Sequence, residues 1–181
     1  MSQFEFVSVA VALLYAIAIG RLLTALPDLF DARRRYWVAQ GWAIYLLLFC
    51  LSTWFGFWDW RDFEFDPATF LGALAPPAFV IVRVELLCGR ASREIEDYRA
   101  HYYAIRVPFF AVGLVSMTFL FFSPWVAGQL PWGTFTSFHA LGATSIAVWI
   151  AGIVSDRPAL HGGLVVFQVF GTLAQYFLGV A

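Results

Sequence analysis

Charge is what this sequence has least of. Only 13% of its 181 residues are Asp, Glu, Lys or Arg, against roughly 25% in a soluble domain. Hydrophobic residues make up 61% and the mean hydropathy is +0.76. A compact soluble fold still exposes a large surface to water, so a chain of this length has too little interior to hide that much apolar side chain. Lipid contact removes the difficulty. Lysine is absent altogether, so all eleven basic residues are arginine. Two cysteines, Cys50 and Cys88, are too few for a disulfide framework, and no cysteine pair has zinc spacing. Gly-x-Ser-x-Gly, His-Glu-x-x-His and phosphate-loop patterns are all missing. No cofactor, metal or nucleic acid is implied, and the reading is of a non-enzyme.

Aromatic side chains are abundant: eight Trp, seven Tyr and twenty Phe. That suits a protein with two water–lipid boundaries to anchor. A spanning helix needs about 20 mostly apolar residues. Six stretches qualify, near residues 4–26, 36–58, 67–88, 102–122, 134–154 and 159–180. The first is too long, and lacks the basic leader, for a secretory signal. Connections are short, so residues 1–181 read as one integral membrane domain. The expected fold is all-α: a bundle of six transmembrane helices. The alternative has five spans, demoting the third for Pro76-Pro77 or the sixth for Gly162, Gly163 and Gly171.

Charge placement sets orientation. Arg33, Arg34 and Arg35 follow the first span. Arg90, Arg93 and Arg99 follow the third, and Arg157 follows the fifth. With six spans these loops share one side. The other side carries Arg61 among Asp59, Asp62, Glu64 and Asp66. Cytoplasmic loops collect arginine, so the basic loops are expected inside and both termini on the non-cytoplasmic side. Trp54, Trp58, Trp60, Trp125 and Trp132 would then belt the outer interface. Tyr36, Trp37, Tyr98, Tyr102 and Tyr103 would belt the inner one. The stretch Ser92–His101 is expected to extend the fourth helix into the cytoplasm, with Ser92 as its cap.

Ionisable groups inside a bilayer are costly, so each is a functional candidate. Arg21, Arg83, Glu85 and Arg106 fall at similar depth near the inner boundary. Arg83 and Glu85 are two residues apart and so face different sides of their helix. Glu85 is expected to pair with Arg21, with Arg106 as its second choice. The surplus arginine makes the layer a candidate site for a lipid phosphate or another anion. The competing reading has the Arg21–Glu85 pair merely joining two helices while Arg83 and Arg106 snorkel to headgroups. Pro76-Pro77 should kink or break the third helix and could mark a transport pathway. His139 and His161 fall near opposite membrane faces and cannot share a metal or haem.

Ser8, Ala12, Ala16, Gly20 and Thr24 place a small residue at every fourth position of the first span. Such a stripe lets helix backbones approach closely, within the bundle or in a homo-oligomer. Ser137, Ala140, Thr144, Ala147 and Ala151 form a second stripe in the fifth span.

The segment EFVSVAVALLYAIAIGRLLTAL (Glu5 to Leu26), followed by RRRYWVAQGWAIYLLLF (Arg33 to Phe49), resembles a group of small uncharacterised bacterial inner-membrane proteins. In that group the first span ends in a Gly-x-x-Arg-Leu-Leu-like segment before a basic loop and a Tyr-Trp start. Here Gly20 directly precedes Arg21-Leu22-Leu23, a departure in spacing. The resemblance covers about a quarter of the chain. It implies a multi-pass protein of a bacterial inner membrane, with membrane lipids as partners, and carries no activity. Two functions follow from the residues: a non-catalytic structural, lipid-binding or partner-binding protein, and a small transporter or channel.

Overall fold

The computed structural model describes the backbone at residues 2–89, 92–126 and 128–178, and side chains at all of these except 93, 137, 138, 141 and 175–178. Arg90 and the side chains of Arg93 and Ser137, named above, lie outside the described residues.

The described fold is all-helical. Its six helices are α1 (Gln3–Leu29), α2 (Trp37–Gly56), α3 (Pro67–Cys88), α4 (Tyr98–Val126), α5 (Ser137–Val154) and α6 (Pro158–Leu178). Single 3-10 turns follow α2 (Phe57–Trp60) and α3 (Ser92–Glu94). α1, α3, α4 and α2 with its turn are each long and apolar enough to cross a membrane. α5 and α6 are apolar over the shorter described stretches Gly142–Val154 and Pro158–Ala174. At 1.5 Å rise per residue the 18 residues of α5 span roughly 27 Å, close to a hydrocarbon core.

Helix starts follow local chemistry. Ser2 and Glu5 cap α1 reciprocally, and Asp66 with Thr69 does the same for α3, where Pro67 fills the first turn. The expected cytoplasmic extension of α4 through Ser92 is not formed. Ser92 Oγ instead donates to Asp28 Oδ2 at 2.6 Å. α4 begins after Asp97, whose Oδ1 accepts the Arg99 amide at 2.7 Å. A carboxylate facing an N-terminal amide is a stronger cap than a hydroxyl engaged elsewhere.

α3 runs unbroken through Pro76-Pro77, so the expected break is absent. The two rings withdraw the amides that would bond the carbonyls of Gly72 and Ala73. Helical turns on both sides hold the segment, and both prolines are buried in the bundle. α3 closes at Gly89, whose φ of +66° ends the helix in a region that favours glycine.

The surface is apolar. On α1, Phe6, Val9, Leu13, Ile17 and Leu23 are all more than half exposed. Its buried face is Val7, Val11, Tyr15, Ala18, Leu22, Ala25 and Leu29. Large apolar side chains outside and tyrosine, tryptophan, arginine and histidine inside suit lipid as solvent. The small-residue stripe of α1 does not face the bundle: Ala16, Gly20 and Thr24 are exposed, Ser8 and Ala12 half-buried.

α1 packs on α3, α2 on α6, and α4 on both α3 and α5. Close approach is made by glycines that receive large side chains. A Cβ on Gly113 would lie 2.4 Å from Trp149 Cε3, and one on Gly152 would lie 2.1 Å from Phe110 Cε1. The exchange is reciprocal, since Gly113 and Phe110 belong to α4 while Gly152 and Trp149 belong to α5. Between α2 and α6, Gly41 takes Val165 and Gly162 takes Trp37 in the same way.

Candidate functional site

Most charged contacts gather at one end of the bundle, where the loops after α1, α3 and α5 meet. Arg34 is the knot between the first two. It donates from Nη2 to Asp28 Oδ1 (2.9 Å), from Nε to Asp31 Oδ2 (3.2 Å) and from Nη1 to the Ile95 carbonyl (3.2 Å). The Arg34 carbonyl accepts the Tyr98 amide at 3.0 Å. The Arg33 amide, then the Arg34 guanidinium, hold the Asp31 carboxyl below the usual carboxylate range. Asp28 in turn raises the Arg34 pKa. Tyr36 OH and Tyr103 OH lie 3.2 Å apart.

Below this knot lies the pair expected between α1 and α3. Arg21 Nε donates to Glu85 Oε1 at 2.6 Å and Nη2 donates to Oε2 at 3.2 Å. Arg21 Nη2 also donates to the Gly89 carbonyl at 2.8 Å. The guanidinium fork thus joins two helices and caps the negative end of α3. About one third of each partner's side chain is exposed.

Arg83 departs from the expectation. Neither of the sequence readings placed it where it is: it neither lines an anion layer nor reaches a headgroup. It is completely buried. The helix turns about 200° over the two residues to Glu85, so Arg83 faces the far side of α3, into the junction of α2, α4 and α5. There its Cζ stands 4.2 Å from the Trp149 ring centroid, 5.2 Å from Phe109 and 5.5 Å from Tyr45. None of its three nitrogens has a hydrogen bond of good geometry. Three π-faces stand where a counter-ion would.

Beside the box runs a chain of hydrogen bonds. Trp42 Nε1 donates to Tyr102 OH at 3.1 Å, and Tyr102 OH lies 2.8 Å from His161 Nδ1. His161 Nε2 lies 2.8 Å from the Ser155 carbonyl. One proton arrangement satisfies every partner: Tyr102 donates to Nδ1, and the neutral ring donates from Nε2 to Ser155. The chain ties α2, α4 and α6 to the turn after α5. His139 is at the other end of the bundle, stacked on Trp125 at 4.4 Å, with Thr136 on its Nδ1. The two histidines are therefore far apart, as their sequence positions imply. Cys50 and Cys88 are buried free thiols.

Arg106, the fourth residue of the predicted layer, lines an open pocket of about 390 Å³ with Arg99, Tyr103, Asp156 and Pro158. Arg99, Tyr103 and Arg106 follow the i, i+4, i+7 pattern of one helical face. Asp156 and Pro158 close the pocket from the turn between α5 and α6. Arg106 Nη1 is buried with no hydrogen-bond partner. Of the four predicted layer residues, then, Arg21 and Glu85 form a pair, Arg83 is boxed by aromatic rings and Arg106 lines the pocket. Arg99 and Tyr103 were legible as charge and belt residues in the sequence. Asp156, which lines the same pocket, lies some 50 positions away and gave no local signal.

The pocket has no nucleophile beside a base, and the described residues contain no group of three or more metal-binding side chains. What it offers is a fork of guanidinium donors and a phenol at a basic helix end. No protein-family model, curated protein or solved structure matches the chain.

Proposed function

We propose that this chain is a non-catalytic, multi-pass protein of a bacterial inner membrane that holds a phospholipid headgroup in the Arg99–Arg106 pocket. Its basic end faces the cytoplasm in this reading and both termini lie on the other side. The observation that carries the binding reading is Arg106. It is a half-buried guanidinium in a pocket that a second arginine also lines. Arginine's planar fork matches phosphate oxygens, and basic pockets at the cytoplasmic ends of membrane helices suit lipid headgroups. The orientation is supported by charge: arginines crowd the loops at the pocket end, and four carboxylates crowd the segment Asp59–Asp66 at the other.

The second reading, a small transporter or channel with its pathway at Pro76-Pro77, rests on those two prolines inside α3, and flux into liposomes tests it. The outward stripe Ser8, Ala12, Ala16, Gly20 and Thr24 is proposed as the contact for a second copy. A Cβ on Gly20 would meet nothing within 4 Å in the single chain. Gly20→Leu should then abolish any dimer seen by crosslinking in membranes.

Phospholipid retained through purification tests the main reading. The double variant Arg99→Gln/Arg106→Gln should lose bound lipid with its thermal midpoint little changed. Retention equal to that of the native chain would remove the proposal. Orientation is tested with an impermeant maleimide. Glu64→Cys should label in intact spheroplasts and Arg157→Cys only after lysis.

A further inference from the structure

Resting on the headgroup reading, the geometry points to a phosphoethanolamine group as what this pocket recognises, with its phosphate on Arg99 and Arg106 and its ammonium on Asp156. A purely anionic ligand would want the pocket's charges all of one sign. This pocket carries both. Arg99 and Arg106 stand on α4, and Asp156 stands on the turn before α6.

The opposite charges do not consume one another. Among the described residues, the ion pairs within 4.0 Å join Arg21 to Glu85, Arg34 to Asp28 and Asp31, and Arg61 to Asp62. Arg99, Arg106 and Asp156 form none. They line one cavity, with no direct pair between its two sides. A pocket lined by both signs of charge, with no ion pair joining them, is complementary to a dipolar ligand. An anion alone would leave Asp156 facing it at an electrostatic cost, while a zwitterion satisfies both walls.

The nature of the positive group follows from the wall that would receive it. A quaternary ammonium has no N–H and is held by aromatic faces. The pocket has a single aromatic, Tyr103, where a quaternary ammonium calls for a cage of several. A primary ammonium has three N–H donors, and a carboxylate is its natural acceptor. Asp156 thus favours ethanolamine over choline. On the phosphate side the donors are the guanidinium groups of half-buried Arg106 and exposed Arg99. Tyr103 OH, already beside Tyr36 OH, can donate a further bond.

The source of the group is a membrane lipid in this account, because the pocket opens at the end of apolar helices whose outer faces bear large aliphatic side chains. A soluble phosphomonoester carrying the same amine has the same recognition chemistry, so the test separates the two.

Native mass spectrometry of the full chain, released from mixed micelles with equal phosphatidylethanolamine, phosphatidylglycerol and phosphatidylcholine, reads the preference. The native chain should keep the ethanolamine lipid roughly tenfold over the other two, the ratio expected for one charge-assisted hydrogen bond. Asp156→Asn should erase that ratio while still retaining lipid. Preference for phosphatidylglycerol, or an unchanged ratio in Asp156→Asn, overturns the ethanolamine assignment and leaves the phosphate reading standing. Lipid retention unaffected by Arg99→Gln/Arg106→Gln overturns both. O-phosphoethanolamine added at the lipid's own concentration should not displace it. Full displacement would overturn the lipid source.

Discussion

Arg21 and Arg83 carry the same charge into the same end of the bundle, on either side of one helix. Arg21 reaches α3 from α1 and finds a carboxylate and a helix-end carbonyl, at a depth where a third of its side chain is exposed. Arg83 leaves α3 on the opposite face and finds three aromatic rings and no exposure. A carboxylate partner is cheap where water and headgroups reach, because neither charge is fully desolvated. In the interior, an added buried carboxylate would bring its own desolvation cost. Aromatic faces bring none. Each desolvated cation–π contact is worth about 2 kcal/mol or more, against several kcal/mol for desolvating the guanidinium, so three rings offset a large share of the cost of Arg83.

The largest effect should come from prising the box apart. Trp149 and Phe110 reach their places only because Gly113 and Gly152 leave room. Gly152→Ala sets a methyl against the Phe110 ring and should cost about 3 kcal/mol, at the upper end for overpacking. It should also expose Trp149 to quencher and leave the Arg21–Glu85 contact between α1 and α3 intact. A stable protein with unchanged tryptophan emission would show that α4 and α5 do not pack through these glycines.

Arg83→Met comes next, and its sign is the opposite. Met removes the desolvation cost of the buried guanidinium, several kcal/mol, against the cation–π contacts given up, and a thioether packs well on rings. The thermal midpoint in detergent should rise. A fall would mean that the box is matched to the cation more closely than this account holds.

Breaking the other arginine's contact should do less. Glu85→Gln removes the charge but keeps an acceptor, and the pair is partly exposed, so the loss should be under about 1 kcal/mol. A loss as large as that of Gly152→Ala would erase the contrast between the two arginines.

The smallest effect concerns Asp31. Its folded pKa lies below the ordinary carboxylate value of about 3.9. Its contribution is therefore complete above that value and lost as pH falls through the lower folded pKa. Asp31→Asn should lower the thermal midpoint slightly at pH 6, by a gap that shrinks as the pH falls below the ordinary carboxylate range. A gap that does not change with pH would assign the effect to packing.

How far the sequence foretold these contacts depends on how local each one is. Span positions are composition averaged over 20 residues, so all six helices were legible, with ends displaced by up to about four residues. Arg21 and Glu85 were found because depth along two neighbouring spans is additive and only one acid was within reach. Depth alone misled for Arg83. Its surroundings come from Tyr45, Phe109 and Trp149 on three different helices, and no periodicity announces them. Pro76-Pro77 argued locally for a kink or a break, and in the packed bundle the helix runs unbroken there. Ser92 misled as a cap because Asp28, 64 positions earlier, claims its hydroxyl.

The pairing of Arg83 with Arg106 bears most directly on what the chain does. One is read as structural and the other as a ligand contact, though both have unpartnered buried nitrogens. Phospholipid retained per chain, measured side by side in Arg83→Met and Arg106→Gln, separates them. Full retention in Arg83→Met with loss in Arg106→Gln is the predicted result. Loss in Arg83→Met with retention in Arg106→Gln would place the ligand in the aromatic box and contradict the account.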